Sequence, residues 1–407
     1  MQSKKSSIFN LTVLVASLGY LVDIYDLLLF GIIRVKSLTA LGLNATEVGK
    51  QGKSIIGIQM FGLLIGGIIW GIMGDKKGRK SVLFGSIILY SLANIANGFV
   101  HNVVQYSIVR FIAGLGLAGE LGAGITLVSE LLPKEKRGLG TALVSGVGVL
   151  GAVAAFLVSK EFEWRTCYFI GGGLGLVLLI MRISVFESGM YHEVKKMNVS
   201  KGNFLKFFIN GKRFRKYIAS ILIGLPTWYI IGVLITFSNE FGKEFGIVQP
   251  IDAGRAIMYS YMAISVGNFL IGVLSQVMKS RKKALYVFYL ITIIFAVAFF
   301  RQDASSTDSG MYWICAGMGL GAGFWAIFVT IAAEQFGINL RATAAITVPN
   351  MVRGALPLIL ALFQWLTVPF GYLRGGWITG IIVMVLTLIG AAMVEETFGK
   401  DLDYVEQ

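Results

Sequence analysis

Apolar residues fall along the chain in twelve long runs, separated by short clusters of lysine, arginine, acidic residues, glycine and asparagine. The runs lie near 9–33, 54–73, 82–100, 105–130, 139–158, 166–186, 217–238, 255–277, 284–300, 311–333, 342–367 and 374–395. About 20 apolar residues in helical form cross a hydrocarbon core of roughly 30 Å. In lipid the backbone must satisfy its own hydrogen bonds, which makes the helix the form for runs of this length. The pattern predicts an all-α polytopic membrane protein with twelve transmembrane helices. The runs at 82–100 and 284–300 are the shortest, and the one at 311–333 is rich in glycine.

The pattern also repeats. "GIMGDKKGRKSVL" (71–83) follows the second run, and "GVLSQVMKSRKKAL" (272–285) follows the eighth, roughly two hundred residues later. "AGLGLAGELGAGITLVSELLPKEKRG" (113–138) has a counterpart in "AGMGLGAGFWAIFVTIAAEQFGINLRA" (316–342), which aligns Glu130 with Glu334 and Arg137 with Arg341. Two matches at nearly one offset divide the chain into two pseudo-symmetric six-helix bundles, residues 1–186 and 217–396. A basic linker, 187–216, joins them, and a short tail, 397–407, follows. Repeats of this kind in a membrane place a site near the midplane between them, reached by alternating access.

Composition sharpens the class. Only 14% of residues are charged, against about 25% in a soluble domain. A net charge of +14 would point to nucleic acid in a soluble protein, but here the basic residues collect in loops. With the N-terminus inside, the loops on that side carry more than twice as many lysines and arginines as those on the other. Both termini are therefore expected in the cytoplasm. Membrane lipid is an expected partner, nucleic acid is not, and the protein is expected to be a monomer. The first run is too long for a signal peptide and lacks an A-x-A site. Phe204, Leu205, Phe207 and Phe208 read as an amphipathic piece of the linker on the membrane surface. Cys167 and Cys315 sit far apart in apolar surroundings and read as helix-packing residues.

Several motifs resemble the major facilitator superfamily across essentially the whole chain. "GIMGDKKGRK" is similar to its signature after the second helix, with Gly71, Asp75, Gly78 and Arg79 in register. "RFIAG" (110–114) resembles the R-x-x-x-G motif of helix 4, and "ELLPKEKRG" (130–138) resembles the E-x-x-P-x-x-x-R-G motif after it. "DIYD" (23–26) is similar to the D-G-F-D or D-G-Y-D motif of the aromatic-acid/proton symporters, with Ile24 in place of glycine. "GLAGELG" (116–122) is similar to the G-G-E motif of the metabolite/proton symporters, with Ala118 in place of the first glycine. The resemblance implies a bacterial inner-membrane importer of organic acids or zwitterions, coupled to protons. It also implies that Asp75, Arg79, Glu130 and Arg137, with Glu334 and Arg341 in the second copy, form a cytoplasmic gate.

Ionisable residues inside a span cost about 2.5–3.5 kcal/mol on insertion scales and mark function or a partner. Here they are Asp23, Asp26, Arg110, Glu120 and Arg353, with Arg182 near a helix end. Depth along the helices places Asp26 with Arg110 in the outer half of the first bundle, and Asp23 with Glu120 near its centre. Asp26 and Arg110 are then either a static pair or a proton switch. The second bundle has no acid in its interior, so Arg353 reaches across to Asp23 or Glu120, holds a substrate anion, or is a structural arginine bound to a helix end or carbonyl. Asp23, Asp26, Arg110 and Glu120 are the candidate proton-coupling residues. Arg353, Asn350, Trp228, Tyr229, Trp325, Gln59, Asn268 and Tyr20 are candidate substrate-binding residues, with bonding between helices the alternative for Gln59 and Asn268, and Pro226 is expected to kink the seventh helix. The glycine stripe Gly114, Gly116, Gly119, Gly122 and Gly124 is expected to serve close helix contact.

The sequence shows no metal-ligand spacing and no nucleophile elbow, so an enzyme is not expected. No cofactor is expected beyond a coupled proton. The expected function is proton-coupled symport of a small organic anion or zwitterion. An exporter or uniporter on the same fold is the alternative, and a non-transporting membrane sensor is the remote one.

Overall fold

The structure, a computed structural model, describes residues 11–120, 122, 124, 143–182 and 204–399. Among them the chain forms α1 (Leu11–Ala40), α2 (Ala45–Lys77), α3 (Arg79–Asn97), α4 (Val103–Leu117), α5 (Leu143–Glu161) and α6 (Trp164–Met181). It continues with α7 (Gly211–Ile235), α8 (Ala253–Val277), α9 (Arg281–Phe300), α10 (Asp308–Glu334), α11 (Ile338–Gly354 continuing as Leu356–Phe370) and α12 (Tyr372–Met393). Ten of these are long and apolar enough to cross a membrane, and α3 and α4 contribute shorter apolar helices. We call the side where α1 begins and α12 ends the termini face.

Helix starts follow capping chemistry more than hydropathy. α2 begins at Ala45, well before the apolar run at 54, because Asn44 accepts from the Glu47 amide while the Glu47 carboxylate accepts from the Asn44 amide. This reciprocal cap satisfies two otherwise orphaned donors, and the polar turns after it stay helical. α7 begins at Gly211, inside the expected linker, capped by Asn210. It runs to Leu222, resumes as Leu225–Tyr229 with Pro226 in the first turn, and widens into a π-helical segment over Ile230–Ile235. Proline is tolerated there because a first-turn N–H has no intrahelical partner. The expected kink is thus a break followed by a π segment, a form frequent at functional sites.

The linker aromatics do more than face lipid. Phe207 is buried, stacked on Tyr217 of α7 at 4.6 Å between ring centroids and set edge-on to Phe336 at 4.9 Å. Leu205 and Ile209 stay exposed.

α1 and α7 form the middle of the molecule, with 83% of the apolar 18-residue stretch of each buried, against 33% for α9 and α12. The peripheral helices carry exposed Ile108, Ile180, Leu290 and Trp365, faces that suit a hydrocarbon surround. Glycines let the helices approach. A side chain at Gly62 or Gly66 of α2 would strike the α4 backbone at Phe111 or Leu115, and one at Gly114 would strike the Gln59 carbonyl. Gly116, Gly119 and Gly122 likewise meet Tyr90, Ser86 and Ile346, so the stripe is a contact surface.

The two bundles meet along α2–α11 and α5–α8. Asn350 of α11 donates to the Ala118 carbonyl at 2.8 Å and packs on Gly67. Ser265 of α8 donates to the Gly146 carbonyl of α5 at 3.0 Å. On the face opposite the termini, Arg34 pairs with Glu240 at 2.9 Å and Lys160 with Asp252 at 2.9 Å, both across the bundle boundary.

Candidate functional site

Burying α1 between the bundles brings Asp23 and Asp26 into the protein, away from lipid; both are fully buried. Asp26 accepts from Arg110 Nη1 of α4 at 2.9 Å, and its backbone carbonyl accepts from Nη2 at 3.0 Å. The guanidinium is completed by the Gln59 side-chain oxygen (3.3 Å), Asn94 Oδ1 (3.4 Å) and the Tyr168 ring, 5.6 Å from Cζ. Helix depth alone anticipates this pair. Gln59 belongs to it, donating its amide to the Leu27 carbonyl, and so takes the bond between helices rather than a place on the cavity wall.

Glu120 departs from expectation. It does not meet Arg353; Arg182, the C-cap of α6, donates to both its oxygens at 2.8 and 2.6 Å, and Ser86 donates at 2.9 Å. Arg182 also donates to the Leu83 carbonyl at 2.9 Å. Gly19 leaves room for this guanidinium, since a side chain there would collide with it. Charge balance within the first bundle was the signal: three acids faced Arg110 and one other lone arginine, Arg182.

Asp23 sits between these two ion pairs. Neither of its carboxylate oxygens has a hydrogen-bond partner. Arg353 is the cation whose charge acts most strongly on it, but no ion pair joins them within 4.0 Å.

Arg353 lies on α11 behind Asn350, to whose side-chain oxygen it donates at 3.3 Å; its Nε has no partner. Its guanidinium carbon stands 5.8 Å from the Trp325 ring. It borders a small central cavity of about 20 Å³, together with Tyr20, Thr227, Trp228, Tyr261 and Trp325. That space holds about one water, and on the face opposite the termini the Arg34–Glu240 and Lys160–Asp252 pairs hold the bundles together. Tyr20, Trp228, Trp325 and Arg353 thus meet where the sequence placed a substrate. Thr227 and Tyr261 were missed, because a polar group on an apolar helix gives no hint of which face it takes.

Other expected residues point elsewhere. Tyr229 donates to the Gly376 carbonyl of α12 at 2.7 Å and turns away from the cavity. Asn268 accepts from the Ala326 amide at 3.1 Å, tying α8 to α10. Glu334 pairs with Arg281 at 2.7 Å inside the second bundle, and Arg341 is half-buried on α11. Glu130 and Arg137 of the expected gate lie outside the described residues, as do the side chains of Asp75 and Arg79. Cys167 and Cys315 are free thiols, both buried.

Comparison with known proteins fits this arrangement. Residues 9–361 match the Major Facilitator Superfamily. The chain is 24% identical over 431 residues to the niacin transporter NiaP of Acinetobacter baylyi, covering 98% of this chain and 96% of that protein. It is 24% identical over 337 residues to the gentisate transporter of Corynebacterium glutamicum, covering 79% and 73%. Among solved structures, the proton:xylose symporter XylE bound to 6-bromo-6-deoxy-D-glucose superposes with a TM-score of 0.73 at 17% identity, covering 97% and 98% of the two chains.

Proposed function

The chain belongs to the major facilitator superfamily and is a multi-pass membrane transporter, not an enzyme; from that premise we propose that it imports a small organic anion together with a proton. The observation that carries the reading is Arg353, a buried guanidinium at the central cavity with no carboxylate paired to it among the described residues. A guanidinium offers a planar fork of donors that matches a carboxylate. The aromatic walls Tyr20, Trp228 and Trp325 suit a flat ring attached to that carboxylate. The relatives named for niacin and gentisate transport act on aromatic carboxylates, which supports the same substrate class here.

The first bundle supplies the proton site. Asp26 and Glu120 each have an arginine, whereas Asp23 has no hydrogen bond and faces the region of Arg353. An unpaired charge is costly to bury, so Asp23 is the carboxylate with most to gain from a proton while the site is closed. A substrate carboxylate on Arg353 neutralises the cation that acts most strongly on Asp23, which couples anion binding to protonation. Asp26–Arg110 then serves as the second, switchable pair. Excess lysine and arginine on loops of the termini face supports a cytoplasmic assignment of that face, in a bacterial inner membrane.

The test is uptake into proteoliposomes of labelled nicotinate, gentisate and benzoate, with and without an imposed inward proton gradient. The expected result is gradient-driven accumulation of at least one acid, lost in Arg353→Ala and reduced in Arg353→Lys. Asp23→Asn is expected to keep exchange across the membrane while losing gradient-driven accumulation. Wild-type uptake that ignores the pH gradient would overturn the coupling, and wild-type rates in Arg353→Ala would overturn the anion site.

A further inference from the structure

The face opposite the termini carries an arrangement that the central site does not use. Arg34, near the end of α1, is fully buried, although its partner Glu240 is 23% exposed. Its Nη1 donates to Glu240 Oε1 at 2.9 Å and its Nη2 to Oε2 at 3.1 Å, a two-pronged grip on one carboxylate. Nη2 also reaches Asn239 Oδ1 at 3.1 Å, and the guanidinium lies 4.4 Å over the Phe237 ring. Nε has no partner. Gly52 of α2 makes room for the arginine stem. The next residue, Lys53, sets its ammonium against the same Phe237 ring from α2, at 5.3 Å, and against Tyr372 at 5.1 Å.

Both cations belong to the first bundle. Phe237, Asn239 and Glu240 belong to the second, just beyond the π-helical segment of α7. Opening this face must carry the Glu240 carboxylate away with α7. Arg34 and Lys53 stay behind on α1 and α2, with a shared aromatic floor removed and a carboxylate-shaped vacancy between them and the opening.

We propose that Arg34 and Lys53 form a carboxylate-receiving subsite at the mouth opposite the termini, which Glu240 occupies in the closed state and which an incoming organic anion takes when the face opens. The inference rests on the anion-import reading above. Its chemistry is exchange of one carboxylate for another on the same guanidinium fork. The fork's geometry is already built, and two positive charges there face a single paired acid. Cations in a low-dielectric mouth raise the local concentration of an anion and the rate at which it is captured. Glu240 then acts as an internal competitor that closes the mouth once the anion has moved inward.

The experiment measures KM for nicotinate, benzoate and gentisate in right-side-out and inside-out membrane vesicles, so that the two faces are read separately. Lys53→Gln is the principal variant because Lys53 is outside the Arg34–Glu240 pair; Arg34→Gln and Glu240→Gln complete the set. The expected result is about a tenfold rise in the ratio of uptake KM to efflux KM for Lys53→Gln and Arg34→Gln, and a fall in that ratio for Glu240→Gln. Raising the salt concentration should raise the wild-type uptake KM more steeply than that of Lys53→Gln. Saturable wild-type uptake with an unchanged ratio in Lys53→Gln and Arg34→Gln overturns the subsite and leaves the anion-import reading standing. A KM that rises equally from both faces assigns these residues a structural role and also overturns it. No uptake of any of the three acids overturns both readings together.

Discussion

Replacing Glu120 by glutamine removes one charge from a buried pair while keeping its shape. Arg182 and Glu120 are 3% and 1% exposed, joined by two hydrogen bonds of 2.8 and 2.6 Å. Ser86 and the Leu83 carbonyl complete the cluster. Glu120→Gln would leave the guanidinium buried without the carboxylate that pairs with it, with Asp23 the remaining acid that acts on it. Breaking one side of such a pair costs about 3–5 kcal/mol, mostly the desolvation of the charge left behind. For a cooperative unit the size of one bundle, each kcal/mol moves the midpoint by roughly 2–4 °C. The expected drop in apparent Tm is therefore about 6–20 °C, read by thermal unfolding in detergent at a fixed scan rate, because unfolding there is kinetically limited. Arg182→Gln should cost a similar amount. The double variant Glu120→Gln/Arg182→Gln should recover a large part of the loss, since it buries no charge. A drop of less than about 2 °C in the single variant, or a double variant as unstable as the two singles added, would refute a buried counter-charge at this position.

Three further outcomes follow from the geometry. A side chain at Gly319 would strike the Ser260 backbone, whereas one at Gly173 meets nothing within 4 Å. Gly319→Ala should therefore destabilise by about 1–3 kcal/mol and Gly173→Ala should stabilise by about 0.5–1 kcal/mol, compared by the same melting assay. Tyr229→Phe removes the hydrogen bond to Gly376 and should cost about 1 kcal/mol of stability with substrate KM unmoved, while Trp228→Ala at the cavity should raise KM. Beyond the end of α12, burial alone would raise the Glu396 carboxyl, but hydrogen bonds from Ser280 and from the Phe398, Arg281 and Lys282 amides outweigh it and hold it at about 2. A depressed carboxyl contributes stability above its unfolded value, near 4.5, and loses it as the pH falls toward about 2. Allowing for its solvent exposure, Glu396→Gln should cost about 1 kcal/mol at neutral pH, and the gap to wild type should close between about pH 5 and 2 in melts across that range.

Twelve helices in two matching halves were legible in the chain, because an apolar run of bilayer length has one stable form in lipid and a repeated motif fixes a repeated unit. The Asp26–Arg110 pair was legible as well, since opposite charges at one depth offset each other's burial cost when their helices pack together. That Tyr20, Trp228, Trp325 and Arg353 would share one central cavity followed from the rarity of polar and kinked positions inside the spans. What periodicity and depth could not reach was direction around a helix axis. Tertiary packing turned Tyr229 toward α12, Gln59 toward Arg110 and Asn268 toward Ala326. It also gave Glu120 to Arg182, leaving Asp23 the one acid of the three without a hydrogen bond. The pair Arg34–Glu240 was invisible for a related reason: both residues sit where loop charges are expected, and only the meeting of α1 with the segment beyond α7 makes a part-buried ion pair of them. Position along the membrane normal is written in one dimension and can be read there; which charges share a cavity depends on the rotation and contact of helices distant in the chain.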